Sequence, residues 1–74
     1  MFVLGIDPGL SVTGYGLVEG TQPPRAHKAG VIRTDRDLAT PKRLLELHDS
    51  LVDLLEETRP DAVAITRIVT PSSG

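Results

Sequence analysis

Few residues in this chain are placed to do chemistry, and the first of them is Asp7. It closes the apolar run Met1-Phe2-Val3-Leu4-Gly5-Ile6 and is followed at once by Pro8-Gly9, so a carboxylate stands where a strand gives way to a turn. Such an acid is a hard oxygen ligand for a divalent cation, or it caps the turn by accepting bonds from nearby N–H groups. Taken alone, the capping role is the commoner one. A second apolar stretch, Ala62-Val63-Ala64-Ile65, ends in Thr66-Arg67 and so offers a hydroxyl at the matching place. His27 and His48 have no partner His or Cys at ligand spacing and read as boundary residues. Gly9, Gly14 and Gly16 could cradle a phosphate through exposed amides, but glycines alternating in a strand more often mark twist or close packing, the reading favoured here. Arg25, Lys28, Arg33 and Arg36 lie close in sequence. They could track a DNA backbone, or simply keep an edge strand from pairing. Tyr15 alone is not a base-stacking platform.

These residues need elements to hold them. Met1 to Ile6 is β-rich, short and apolar on both alternating faces, as a buried strand should be. Thr13 to Glu19 resumes a strand after the Pro-Gly turn, and Ala26 to Thr34 supplies a third, more polar one after Gly20-Thr21-Gln22-Pro23-Pro24. Thr40-Pro41 reads as a helix start, with a capping hydroxyl and a proline at the first helical position. Leu44, Leu47, Leu51, Leu54 and Leu55, widened by Leu45 and Val52, make one apolar stripe down to about Thr58. Arg59-Pro60 ends it. A strand returning after that helix runs parallel to the first by a right-handed crossover, giving an α/β mixed sheet of order three-two-one-four. Phe2, Leu4 and Ile6 then share a face with Val63 and Ile65, which the leucine stripe is expected to cover. Val3, Gly5, Ala62 and Ala64 form the opposite face, with no second helix to cover it.

Seventy-four residues make one small domain, expected over residues 1–70 with 71–74 as a polar tail. With 39% apolar and 24% charged residues the composition is that of a globular sequence, not a disordered one. The absence of cysteine excludes disulfides, thiolate metal centres and thiol nucleophiles. No apolar run is long enough to cross a membrane, no signal peptide is evident, and a cytoplasmic location is expected. A net charge of −2 gives no overall footprint for nucleic acid, so any DNA contact must be a local patch.

The run Gly5-Ile6-Asp7-Pro8-Gly9-Leu10-Ser11-Val12-Thr13-Gly14-Tyr15-Gly16 resembles the opening of the RuvC crossover-junction endodeoxyribonucleases, which resolve Holliday junctions on an RNase H-like fold. Gly30-Val31-Ile32-Arg33-Thr34, Arg43-Leu44-Leu45-Glu46-Leu47-His48 and Arg59-Pro60-Asp61-Ala62-Val63-Ala64-Ile65 continue the likeness, which spans nearly all of this chain but under half of the family's length. It implies a truncated RNase H-like fold and Mg²⁺-dependent phosphodiester hydrolysis of four-way DNA junctions, with acids clustered at the C-terminal ends of the central strands. Asp7 matches the first acid and metal ligand. Thr66 falls where a glutamate is expected, and the last two acidic positions lie beyond this chain. Gly9, Ser11, Thr13 and Arg33 are the expected DNA or phosphate contacts.

With one acid of four, the chain is expected not to cleave DNA, and to bind Mg²⁺ weakly or not at all. Thr66 is consistent with a deliberate change that removes a buried charge from a truncated core, with an inactive natural relative, or with a reconstructed or designed fragment, an engineered or excised fragment being favoured. Two other readings stand beside this. In one, the chain is a structural or folding-model protein, a homo-oligomer joined through the uncovered Val3, Gly5, Ala62, Ala64 face. In the other it is an ATP-binding module of the actin-like kind, for which nothing after the first turn speaks.

Overall fold

The computed structural model describes residues 1–66. Strands β1 (Phe2–Asp7), β2 (Val12–Glu19) and β3 (Arg25–Arg33) form an antiparallel meander, helix α1 (Thr40–Thr58) crosses over, and β4 (Ala62–Ile65) returns. The order is β3-β2-β1-β4, with β4 parallel to β1, as the alternation and the crossover rule require. Arg67 and the expected tail at 71–74 lie outside the described residues.

Register decides which side chains share a face. Leu4 lies opposite Leu17 and Val63, and Ile6 opposite Tyr15 and Ile65, so these residues point toward α1. Leu4, Ile6 and Leu17 are buried there against Leu54, with Phe2, Tyr15, Ile32 and Leu51 packed around them. Asp61 fixes the start of β4, its carboxylate accepting from the Phe2 amide at 2.7 Å and its own amide donating to the Phe2 carbonyl at 2.8 Å. A bulge between Leu17 and Val18 leaves His27 as the extra residue of β3. Its ring meets Phe2 edge-on at 5.1 Å, and Nε2 lies 2.8 Å from Glu19.

Three expectations need correction. Thr40 does not cap the helix: Ala39 is the N-cap, with no side-chain bond, and its carbonyl accepts from the amides of Lys42 and Arg43. Thr40 lies inside the first turn, one place too late for its hydroxyl to act. The leucine stripe is also only partly used, because Leu54 is buried while Leu44, Leu45, Val52 and Leu55 stay exposed. The reason is where α1 lies. Arg43 bonds to Thr34, Glu46 to the Asp35 amide and Glu57 to Lys28, drawing the helix toward β3. At roughly 100° per residue, Leu44 and Leu55 fall on the other flank, while Leu45 and Val52 point away from the sheet. The third correction follows, since Val63 and Ile65, expected beneath the stripe, are 45% and 70% exposed.

The helix ends at Arg59-Pro60, where the sequence places its end. Arg59 adopts a left-handed conformation (φ 44°) and its amide donates to the Leu55 carbonyl at 2.8 Å, before Pro60 prevents a further turn. Leu4 is fully buried in so small a core, so Leu4→Ala should cost about 2–5 kcal/mol. Ile65→Ala, at an exposed site, should cost well under that, and urea unfolding of both variants measures the difference.

Candidate functional site

Parallel strands point the same way, so β1 and β4 finish together. The Thr66 amide donates to the Ile6 carbonyl at 2.8 Å, one step past the last β4 residue, which sets Thr66 beside the end of β1. By alternation Asp7 and Thr66 lie on the sheet face away from α1, in line with Gly5 and Ala64. A shallow depression of about 370 Å³ opens on this face, lined among others by Gly5, Asp7, Gly14, Gly16 and Thr66. Asp7 is exposed in it. The Thr66 hydroxyl donates to the Ile6 carbonyl at 3.3 Å. Arg33 ends β3 opposite Val12, exposed and on the same face at the same end of the sheet. The polar side chains of this face thus gather at one end, beside a floor of small residues.

The glycines of that floor are not explained by close packing. A Cβ on Gly5, Gly14 or Gly16 would meet its nearest neighbour at 3.7, 3.9 and 3.8 Å, which is ordinary contact. Their effect is to leave the sheet backbone bare. Gly9 is different, since a Cβ there would sit 2.3 Å from the Val12 carbonyl oxygen. Gly30 also has a packing reason: its missing side chain makes room for the Tyr15 ring, whose hydroxyl would stand 2.6 Å from a Cβ. Tyr15 belongs to the helix-side core.

The turn after Asp7 is held from several directions. Thr13 is fully buried, donating to the Gly9 carbonyl at 2.8 Å and accepting from the Gly9 amide at 3.2 Å. Thr34, the other buried polar side chain among the described residues, donates to the Leu10 carbonyl at 2.5 Å, and its amide donates to the Ser11 carbonyl at 3.1 Å. Arg43 reaches down from the helix. Its Nη2 donates to Ser11 Oγ at 2.8 Å and its Nε to Thr34 Oγ1 at 3.3 Å.

This arrangement sorts the expected phosphate contacts. Thr13 is spent on Gly9 and closed to solvent, and the Gly9 amide is already bonded. Ser11 is half-buried and accepts from Arg43. Of the four, Arg33 alone is an exposed side chain. Nor do the basic residues make one patch. Lys28 faces α1, where its hydrogen bond to Glu57 raises its pKa above the ordinary lysine value, and Arg25 lies at the opposite end of β3 from Arg33.

Thr34 and Arg43 were not legible as site residues. A signal existed for Arg43, because it continues the inward track of Leu47, Leu51 and Leu54 at helical spacing, where a cation is out of place unless it has partners. As a metal centre the donor set is thin. Among the described residues no three His, Cys, Asp or Glu side chains are grouped to hold an ion, and Asp7 with a neutral hydroxyl does not fit a two-ion centre by itself. No described helix is long and apolar enough to cross a membrane.

Comparison with known proteins completes the picture. The family model described as crossover junction endodeoxyribonuclease RuvC matches residues 3–72. The enzyme of that name from Thermomicrobium roseum is 48% identical over 68 residues, which cover 92% of this chain and 42% of that protein. Its counterpart from Salinispora arenicola is 50% identical over 70 residues, covering 92% and 40%. Thermus thermophilus RuvC, solved in complex with Holliday junction substrate, superimposes with a TM-score of 0.81 at 28% identity, over 99% of this chain and 48% of that one. The chain spans less than half the length of the relatives it matches.

The two buried threonines give a direct check on the turn. Thr13→Val keeps the shape but leaves the Gly9 carbonyl and amide without their partner, so it should destabilise by about 1–3 kcal/mol in urea unfolding.

Proposed function

Since the chain belongs to the RuvC family of crossover junction endodeoxyribonucleases, we propose that it is the N-terminal part of a structure-selective DNA endonuclease acting on four-way junctions in the cytoplasm, and that it supplies the central strands and the first acid. The observation that carries this reading is the pairing of Asp7 and Thr66 at adjacent strand ends on one open face. Ligands of open α/β sheets gather at the carboxyl ends of the strands, and a bare glycine floor lets a nucleic-acid backbone come close to the sheet. Divalent ions held by such a site would supply an activated water and neutralise charge on the leaving oxygen.

This chain's own contribution is narrower. Asp7 offers one charged ligand, Arg33 offers a cation to a neighbouring phosphate, and Thr66 offers a neutral oxygen whose proton is directed at Ile6. The segment alone therefore binds one Mg²⁺ weakly and does not cleave DNA. For a homo-oligomer, the exposure of Val63, Ile65, Leu44 and Leu55 favours the helix side of β4 over the Val3, Gly5, Ala62, Ala64 face.

Mn²⁺ titration, followed by paramagnetic broadening at Asp7, tests the site. Thr66→Glu should tighten binding by roughly tenfold or more, because a charged oxygen replaces a neutral one, and Asp7→Asn should abolish it. Equal affinity in all three chains would remove Asp7 as a ligand. Junction DNA incubated with the chain and Mg²⁺ should stay intact, and cuts that disappear in Asp7→Asn would overturn the assignment of inactivity.

A further inference from the structure

We propose that Arg43 is the positioning residue of this site: from the first turn of α1 its guanidinium ties the Leu10-Ser11 segment to the end of β3 and so fixes the turn into which the Asp7 end of β1 runs. The inference rests on reading Asp7 as the ligand-bearing acid. Its geometry is a chain of contacts joining α1, the β1–β2 turn, the residue after β3 and the start of β2. Arg43 donates to Ser11 Oγ at 2.8 Å and to Thr34 Oγ1 at 3.3 Å, Thr34 donates to the Leu10 carbonyl at 2.5 Å, and Thr13 closes the other side of the turn at Gly9.

Chemistry explains why an arginine stands there. Both of its acceptors are neutral hydroxyls, and among the described residues no carboxylate lies within ion-pair distance of it. Its charge is thus not spent on an ion pair, and what it supplies is shape. A planar fork directs separate N–H groups at oxygens on two different elements, which a single ammonium on a flexible stem does not do. A half-buried cation also strengthens each bond relative to a neutral donor. The buried hydroxyls of Thr13 and Thr34 are both devoted to the same connection. An acid that must meet an ion at one place needs its own main chain held in this way.

The test compares the 74-residue chain with Arg43→Met, Arg43→Lys and Ser11→Ala in metal-free buffer. Two readouts apply: amide hydrogen exchange by residue, and the Asp7 rotamer from its Hα–Hβ couplings. Arg43→Met should speed exchange at Gly9 and Thr34 about tenfold, as expected for losing hydrogen bonds from a charged donor, while Leu4 and Leu17 amides keep their protection. Asp7 should pass from one dominant rotamer to averaging. Arg43→Lys should not restore either signal, and Lys42→Met, on the exposed side of the same turn, should change neither. Should Arg43→Met fail to fold, Ser11→Ala removes the acceptor while keeping the arginine, and it should give the same local loosening. Three results would overturn the proposal: unchanged exchange at Gly9 and Thr34, a uniform rise across all strands, or full rescue by lysine. None of them depends on metal, so a failed Mn²⁺ titration would sink the nuclease reading and leave this measurement standing.

Discussion

Strand β1 is hydrogen-bonded along both edges, antiparallel to β2 and parallel to β4, and the position of nearly every other group follows from that. Pairing on both sides places Leu4 at the centre of the sheet, where α1 closes it off from solvent completely. It also makes the direction of β4 a matter of chemistry. A parallel neighbour ends where β1 ends, so the residues that follow the two strands, with Asp7 on one and Thr66 on the other, arrive at the same place. An antiparallel neighbour would have set them at opposite ends.

The strands, the helix and the sheet order were legible because each depends on local pattern: alternation, a three-to-four-residue repeat, and a crossover whose hand is fixed. The adjacency of Asp7 and Thr66 was legible for the same reason. What sequence did not give is how far across the sheet the helix lies. The stripe of seven apolar residues says which side of α1 avoids water, whereas Glu57 on Lys28 and Arg43 on Thr34 decide which half of that side is covered. Those contacts join residues far apart in the chain. Thr13 shows a second limit. Its composition and place suited a turn or a phosphate contact, and the hydroxyl is instead turned inward to bond a glycine four residues earlier.

Burial is uneven as a result. The helix shields Leu17 of β2 and Leu4 and Ile6 of β1, leaving Leu44, Leu55, Val63 and Ile65 exposed on the β4 side. Among the described residues the opposite face is floored by glycine and alanine, with the partly exposed Val12, Val18 and Val31 toward its β3 side. The two faces differ in kind. The exposed residues on the β4 side suit further packing of apolar groups, and the bare floor suits a backbone-like ligand that must lie flat.

On the proposed reading, the hydroxyl at position 66 changes the energetics of the sheet end as well as its chemistry. A glutamate there would place a second negative charge near Asp7, and the two would repel until a cation neutralised them. Such an end is strained when empty and relieved when filled, a common trade of stability for function. Thr66 reverses the balance. Its side chain donates to the Ile6 carbonyl, adding a bond across β1 and β4 just where pairing stops, and it brings no charge. The ion-free state is then the relaxed one, and a cation arriving at Asp7 gains a single carboxylate and at most the lone pairs of a neutral hydroxyl whose proton is directed at Ile6. On that reading the hydroxyl that leaves one charged ligand at this end also adds a hydrogen bond between the two strands that form it.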